Sequence, residues 1–380
     1  MKLLLLYDYP PPPAGLPTQG DLLFRGLHQI GVEARAAHLD SALEKEWYYR
    51  WFRPDAVIGV GYWGMTPQLV LHPQRHGMLP VPWLVADGYV ANYRDALDSL
   101  PLVLVTSNWV KETYIRDGLS GRNIEVLPVG CDTDTFVPRG RDEPEVAAVR
   151  QALGIRPDHL MILTVGGDAA SKGGREVMYA LAALGRRAPE WRYVCKVWPQ
   201  ERTAVQNQLD VDLARELGIA DRVVFPTCRI SRNLMPYLLA ACDIYAGPSR
   251  LEGFGMTQVE ANACAKPVIG IRAMAMLETM VHGETAFLAG VAEEVRISGI
   301  VLGPESGFEV GHHIVLDPPR VSDYRADAND IAAYLDRLMG DPELRRTMGA
   351  TGRARAVECF DYRLVARKLT GILSQRLGIE

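Results

Sequence analysis

The stretch PSRLEGFGMTQVEANACAKPVIG, residues 248–270, closes one apolar run, turns on two glycines, continues as a helix-length segment and enters a second apolar run at Val268. Strand, glycine turn, helix and strand in that order make a parallel crossover, because two parallel neighbours in a sheet need an intervening segment to carry the chain back. Working outward, the same alternation continues on both sides. Short apolar runs bounded by turn residues alternate with amphipathic segments from the first residue onward. The fold class is α/β.

Strands are predicted at 2–7, 31–38, 55–61, 82–86, 101–107 and 123–128, and again at 160–166, 192–198, 222–226, 243–248 and 266–271. Each set, with its helices, predicts one Rossmann-like doubly wound domain. The boundaries read as an N-terminal domain over 1–140, a linker over 141–158 that mixes Pro, Arg, Asp, Glu and Gly, and a C-terminal domain over 159–355. Within the latter, 291–328 is an inserted excursion, since GPESGFEVGHHIVLDPP is too rich in Gly and Pro for a regular element. A final helix over 356–380 is expected to pack back toward the N-terminal domain. Open parallel sheets bind ligands at the carboxyl ends of their strands, so two such domains facing each other place one site in the cleft between them.

Composition narrows the function. With 380 residues, 48% of them apolar, the chain is long enough for two cores. The 41 basic residues do not exceed the 46 acidic ones, which leaves no surplus for a phosphate backbone and excludes nucleic acid as the expected partner. The six cysteines lack the paired short spacings of a zinc site or a disulfide framework, so they read as reduced thiols of a cytoplasmic protein. The apolar run Leu3 to Leu6 is far too short for a signal peptide or a spanning helix. No integral membrane segment is expected, a peripheral contact stays open, and the oligomeric state is not encoded.

Within 248–270, Gly253 and Gly255 allow close backbone approach, and the amides that open the following helix direct partial positive charge at a ligand. Glu252 precedes that helix and Glu260 lies on its second turn. Two carboxylates so spaced can accept hydrogen bonds from hydroxyls at opposite ends of one ligand, or serve as a helix-terminal charge and a solvated face. In LTVGGDAASKGG (163–174), a strand ends at Val165 and Lys172 precedes a helix that starts near Gly173. An ammonium beside amide donors suits a leaving diphosphate, and losing one such donor costs about two to three orders of magnitude in rate.

The 248–270 stretch resembles the signature of retaining glycosyltransferases of the GT-B fold, specifically glycosyltransferase family four (group 1 glycosyl transferases). Similarity extends to LVTSNWVKETYIRDGLSGRNIEVLPVGCDTDTFVP (104–138), LTVGGDAASKGG, LETMVHGETAFLAG (277–290) and DPELRRTMGATGRARAVECFDY (341–362), together most of the chain. The resemblance implies that Glu260 binds the ribose of a nucleotide sugar and that Glu252 contacts the transferred sugar. The backbone of Gly253, Phe254, Gly255, Met256 and Thr257 would hold sugar hydroxyls and a phosphate. Gly167, Lys172 and Gly173 would cradle the diphosphate, and the loop near Cys228, Arg229 and Ile230 would meet the base. Gly15, in the N-terminal loop 8–21 that also contains Gly20, falls where the family has a glycine-rich turn beside the donor.

Two departures stand out. An arginine expected at Gly167 or Asp168 is missing, and Arg175 or Lys196 are the available second cations. A histidine expected near the transferred sugar is replaced by Asp87, which either assists catalysis or serves as a turn residue before Gly88. Three other features read as structural. Asp132-Thr133-Asp134 is expected to make turn and capping bonds rather than bind metal, His312-His313 to be a solvated pair, and the cluster from Trp47 to Phe52 to pack a helix on the sheet, with a lipid contact as its other reading.

The expected protein is therefore a metal-independent retaining glycosyltransferase, with Lys172, Glu252 and Asp87 as its catalytic residues. It needs no cofactor; its partners are a nucleotide diphosphate sugar and a small-molecule, glycan or lipid-linked hydroxyl acceptor. A non-catalytic sugar-nucleotide-binding subunit, a nucleotide-sugar epimerase and a phosphorylase remain as alternatives on the same scaffold.

Overall fold

The computed structural model describes residues 1–86, 88–185, 190–199 and 201–380, and divides the chain into two compact units. Unit 1 comprises Met1–Gly130, Arg296–Val321 and Phe360–Glu380; unit 2 comprises Cys131–Val295 and Ser322–Cys359.

Unit 1 is built on a parallel sheet of β1 (Lys2–Tyr7), β2 (Glu33–His38), β3 (Ala56–Tyr62), β4 (Pro80–Val85), β5 (Val103–Val105) and β6 (Ile124–Val126), in the order β2-β1-β3-β4-β5-β6. Leu3 to Tyr7 are all fully buried, because a central strand covered on both faces must be apolar at every position rather than at alternate ones. The N-terminal loop is shorter than the expected 8–21. Helix Gly15–Gln29 begins at Gly15, its early Pro17 costing nothing where the amide has no helical partner, and Gly20 lies inside it against the Tyr7 ring. Helix Tyr362–Leu377 starts on the Asp361 cap and packs on helix Gly15–Gln29; Gly26 leaves room for the Tyr362 carbonyl.

Unit 2 repeats the plan with β7 (Leu160–Val165), β8 (Trp191–Lys196), β9 (Val223–Val224), β10 (Ile244–Ala246), β11 (Val268–Ile271) and β12 (Ala286–Ala289), in the order β12-β11-β10-β7-β8-β9. Strand β12 escaped the sequence reading; its four residues AFLA are too few to display a period. Residues 141–158, read as a linker, lie within unit 2. There helix Pro144–Ala152 buries Val146, and the Arg150 guanidinium donates to the Ala241 and His159 carbonyls at 2.7 Å each.

The expectation that 291–328 is irregular is overturned. It forms β13 (Val291–Leu302) and β14 (His312–Ala326), a two-stranded sheet of their own. A strand with a free edge tolerates Pro318 and Pro319, which a central strand would not. In the part belonging to unit 1, Leu302 and Phe308 pack on the core, the Asn92 side chain donates to the Ser306 carbonyl at 3.1 Å, and Arg320 reaches buried Asp117 at 2.9 Å.

Asp132 makes the expected turn, accepting from the Asp134 and Thr135 amides at 3.3 and 3.1 Å. His312 and His313 are both exposed. The aromatic cluster divides: Tyr49 and Phe52 enter the core, whereas Trp47 and Trp51 stay about half exposed on helix Ala42–Trp51. All six cysteines are free, with Cys131, Cys195, Cys242 and Cys264 buried. Among the described residues no helix is long and apolar enough to cross a membrane.

Candidate functional site

The carboxyl ends of the central strands β7 and β10 of unit 2 carry the two glycine-containing stretches singled out above. After β10 the chain passes through Gly247 to Gly255 and opens helix Met256–Ala263. After β7 it passes through Gly166 to Gly173 and opens helix Gly174–Leu184. Neither helix has a side-chain cap, and each is preceded by a glycine in the left-handed region, Gly255 at φ +92° and Gly173 at +73°. At Gly173 a Cβ would lie 2.2 Å from the Pro248 carbonyl oxygen, so the glycine brings the two loops into contact.

Lys172 and Glu252 meet across that contact, Nζ to Oε2 at 2.8 Å. The other oxygen of Glu252 accepts from the Gly255 amide at 3.1 Å. Burial pushes the Glu252 carboxyl up, but the Lys172 ammonium and hydrogen bonds from Ser249 and Gly255 outweigh it and hold the group below its ordinary pKa. Glu252 is thus fixed as an anion beside the opening of the helix.

Glu260 is 1% exposed one turn into the same helix. Its Oε1 accepts from the Arg232 guanidinium, while Oε2 has no hydrogen-bond partner within the protein. A buried carboxylate oxygen left open is costly unless a ligand donates to it. Arg232 rests over the Phe136 ring at 4.6 Å. Burial lowers its pKa, yet the Glu260 carboxylate raises it more, so the net direction is upward. Sequence reasoning missed Arg232, since nothing in the spacing of SRNLMP ties it to a glutamate 28 residues on.

The remaining candidates distribute as follows. Gly253, Phe254, Gly255, Met256 and Thr257 form the turn and the helix start, where Gln258 donates to the Gly247 carbonyl at 2.8 Å and steadies the loop. Gly167 lies against the Trp198 ring, and its carbonyl accepts from the Trp198 amide at 2.9 Å. Asp168, standing where an arginine was expected, accepts from the amide and hydroxyl of Ser171 at 2.7 and 2.9 Å and so shapes the lysine loop. Of the two replacement cations, Arg175 is committed to buried Asp210 at 2.6 Å, turning away from a ligand role. Lys196 ends β8, is 4% exposed and sits 5.9 Å from the Trp198 ring; burial lowers its pKa. Arg229 and Ile230 follow the bridge between Val197 and Thr227, with Arg229 also 5.9 Å from Trp198. Arg250, in the loop after β10, donates to the Glu176 carboxylate at 2.7 Å. Gly15 lies in unit 1 as the first residue of its helix, with open space where a Cβ would stand. Asp87 lies outside the described residues.

Residues 146–296 match the family described as Glycosyl transferases group 1. Among curated relatives, an MMP alpha-(1->4)-mannosyltransferase from Mycolicibacterium hassiacum is 27% identical over 77% of this chain and 58% of its own length. A GDP-mannose-dependent alpha-(1-6)-phosphatidylinositol monomannoside mannosyltransferase from Mycolicibacterium smegmatis is 27% identical over 67% of this chain and 56% of its own. The matches thus span a little over half the length of these relatives. Among solved structures, sucrose-phosphate synthase from Thermosynechococcus elongatus superposes with a TM-score of 0.74 at 18% identity, covering 99% of each chain. Anabaena HepE in complex with UDP and glucose gives 0.73 at 16% identity, covering 99% of this chain and 100% of its own. The fold is that of the GT-B glycosyltransferases, and the chain carries a group 1 glycosyl transferase domain.

Proposed function

We propose that this protein is a retaining, metal-independent glycosyltransferase that moves a sugar from a nucleoside diphosphate sugar to a hydroxyl acceptor, working in the cytoplasm without a cofactor. The observation that carries the reading is the Glu252–Glu260 pair. One carboxylate is tied to Lys172 beside two helix N-termini, and the other is buried with an oxygen that meets no donor within the protein.

In this reading the ribose of the donor donates a hydroxyl to Glu260 Oε2, and Glu252 accepts from a hydroxyl of the transferred sugar. As the bond between the anomeric carbon and the phosphate oxygen breaks, negative charge grows on the diphosphate. The Lys172 ammonium and the amides that open the two helices stabilise that charge without reorganising. The acceptor oxygen bonds to the anomeric carbon on the face the diphosphate leaves, and its proton passes to the departing phosphate oxygen. No separate nucleophile is required, and Asp87 is retained in the proposal as a further catalytic residue.

The test is a transfer assay with a panel that includes GDP-mannose and UDP-glucose, donors suggested by the names of a relative and a structural neighbour. Product anomeric configuration is read by NMR, and activity is compared with and without chelator. Lys172→Ala should lower kcat by about two to three orders of magnitude. Inverted product, or activity abolished by chelation, would remove the finer parts of the proposal. The commitment of Arg175 to Asp210 favours one rival, a sugar-nucleotide-binding subunit without activity. Such a protein binds donor yet releases no nucleoside diphosphate, with or without acceptor.

A further inference from the structure

A second cluster of chemistry-bearing side chains lies in unit 1 and has no part in the reading above. Helix Ala42–Trp51 carries Glu46, and the helical turns of 67–76 carry His72 and, four residues on, His76. That spacing sets both imidazoles on one face. One donor atom from each of the three residues lies within 4.8 Å of the others. The imidazole centroids are 4.8 Å apart, and His76 Nε2 stands 3.7 Å from Glu46 Oε1, too far for a hydrogen bond. The other oxygen of Glu46 is engaged by Arg50 at 3.2 Å, so Oε1 is the one turned to the histidine.

We propose that Glu46, His72 and His76 form a binding site for a divalent first-row transition metal, zinc above all, that joins helix Ala42–Trp51 to the 67–76 segment. Two imidazoles and one carboxylate are the donor set for such ions rather than for magnesium or calcium. Tetrahedral ligands on zinc stand about 3.4 Å apart, so the donors must draw in by an ångström or so, which the side-chain torsions of half-exposed Glu46 and exposed His76 allow. A supporting contact is already in place. The Tyr49 hydroxyl is 3.5 Å from His72 Nδ1, and when Nδ1–H donates to it the Nε2 lone pair is left for the metal. Water completes the coordination on the solvent side.

The experiment takes the full chain, stripped with chelator, and titrates it with zinc by calorimetry and with cobalt(II) by visible absorption. The expected result is one ion per chain, the intense bands of low-coordinate cobalt, and a melting temperature raised by several degrees at about 100 times the dissociation constant. Glu46→Gln, His72→Gln and His76→Gln should each weaken zinc by at least about tenfold. His76 is exposed, so its variant tests the site without disturbing the core. Zinc bound no more tightly by the wild type than by the His72→Gln/His76→Gln double variant, or cobalt showing only the faint spectrum of a six-coordinate aqua ion, overturns the proposal.

Discussion

The two glutamates of unit 2 differ in what their neighbours let them do. Glu252 keeps its charge because Lys172 and two further donors face it, and its folded pKa lies below the ordinary 4.5. Its ion pair therefore adds stability at all pH values above the unfolded pKa and loses it as pH falls through the lower folded value. Donor binding should accordingly hold down to pH 4.5 and fail only below it, a limit that binding titrations from pH 6 to 3 would show. In Lys172→Met the pH at which binding fails should move upward. Glu260 depends on one guanidinium. Arg232→Ala leaves its carboxylate buried and uncompensated and should cost about 2–4 kcal/mol in denaturant melts, whereas Glu260→Gln should weaken donor binding by about tenfold or more at a smaller cost in stability.

At the scale of elements, the two loops are specified by glycines of unequal necessity. A Cβ at Gly173 would strike a backbone carbonyl at 2.2 Å, and one at Gly255 would strike the terminal methyl of Met276 at 2.0 Å. The methyl can swing away and the carbonyl cannot. Gly173→Ala should therefore destabilise by about 3 kcal/mol or more, and Gly255→Ala by about 1–2 kcal/mol, the left-handed backbone cost alone, as measured by urea unfolding. These loops were legible in the sequence because strand, glycine and helix follow one another within a dozen residues. Most strands of both sheets were legible for a related reason: LLLLY and LMILTV are buried at every position and apolar at all but Thr164, as suits doubly covered parallel strands. The ribbon of β13 and β14 was not. Its residues are largely exposed and its prolines argue against a strand, so nothing local betrays two chain segments that find each other. The Arg232–Glu260 pair was hidden for the same physical cause, a long-range contact with no local signature.

At the scale of the molecule, the ribbon and the C-terminal helix decide how unit 1 is held together. Asp117 is buried between Arg116 and Arg320 and also accepts from the Val90 amide at 2.7 Å. Burial raises its pKa, but these partners draw it down further, below the ordinary 3.8. The cluster thus stabilises unit 1 above that value and lets go as pH falls through the depressed pKa. Asp117→Asn should cost about 2–4 kcal/mol and speed amide exchange across residues 296–321 at neutral pH, which hydrogen-exchange mass spectrometry would register.

Helix Tyr362–Leu377 buries Val365, Ala366, Leu369 and Leu373 in a unit whose first part, Met1–Gly130, is made long before it. During synthesis, the flank of helix Gly15–Gln29 that it covers therefore goes without that cover until residues 362–377 leave the ribosome.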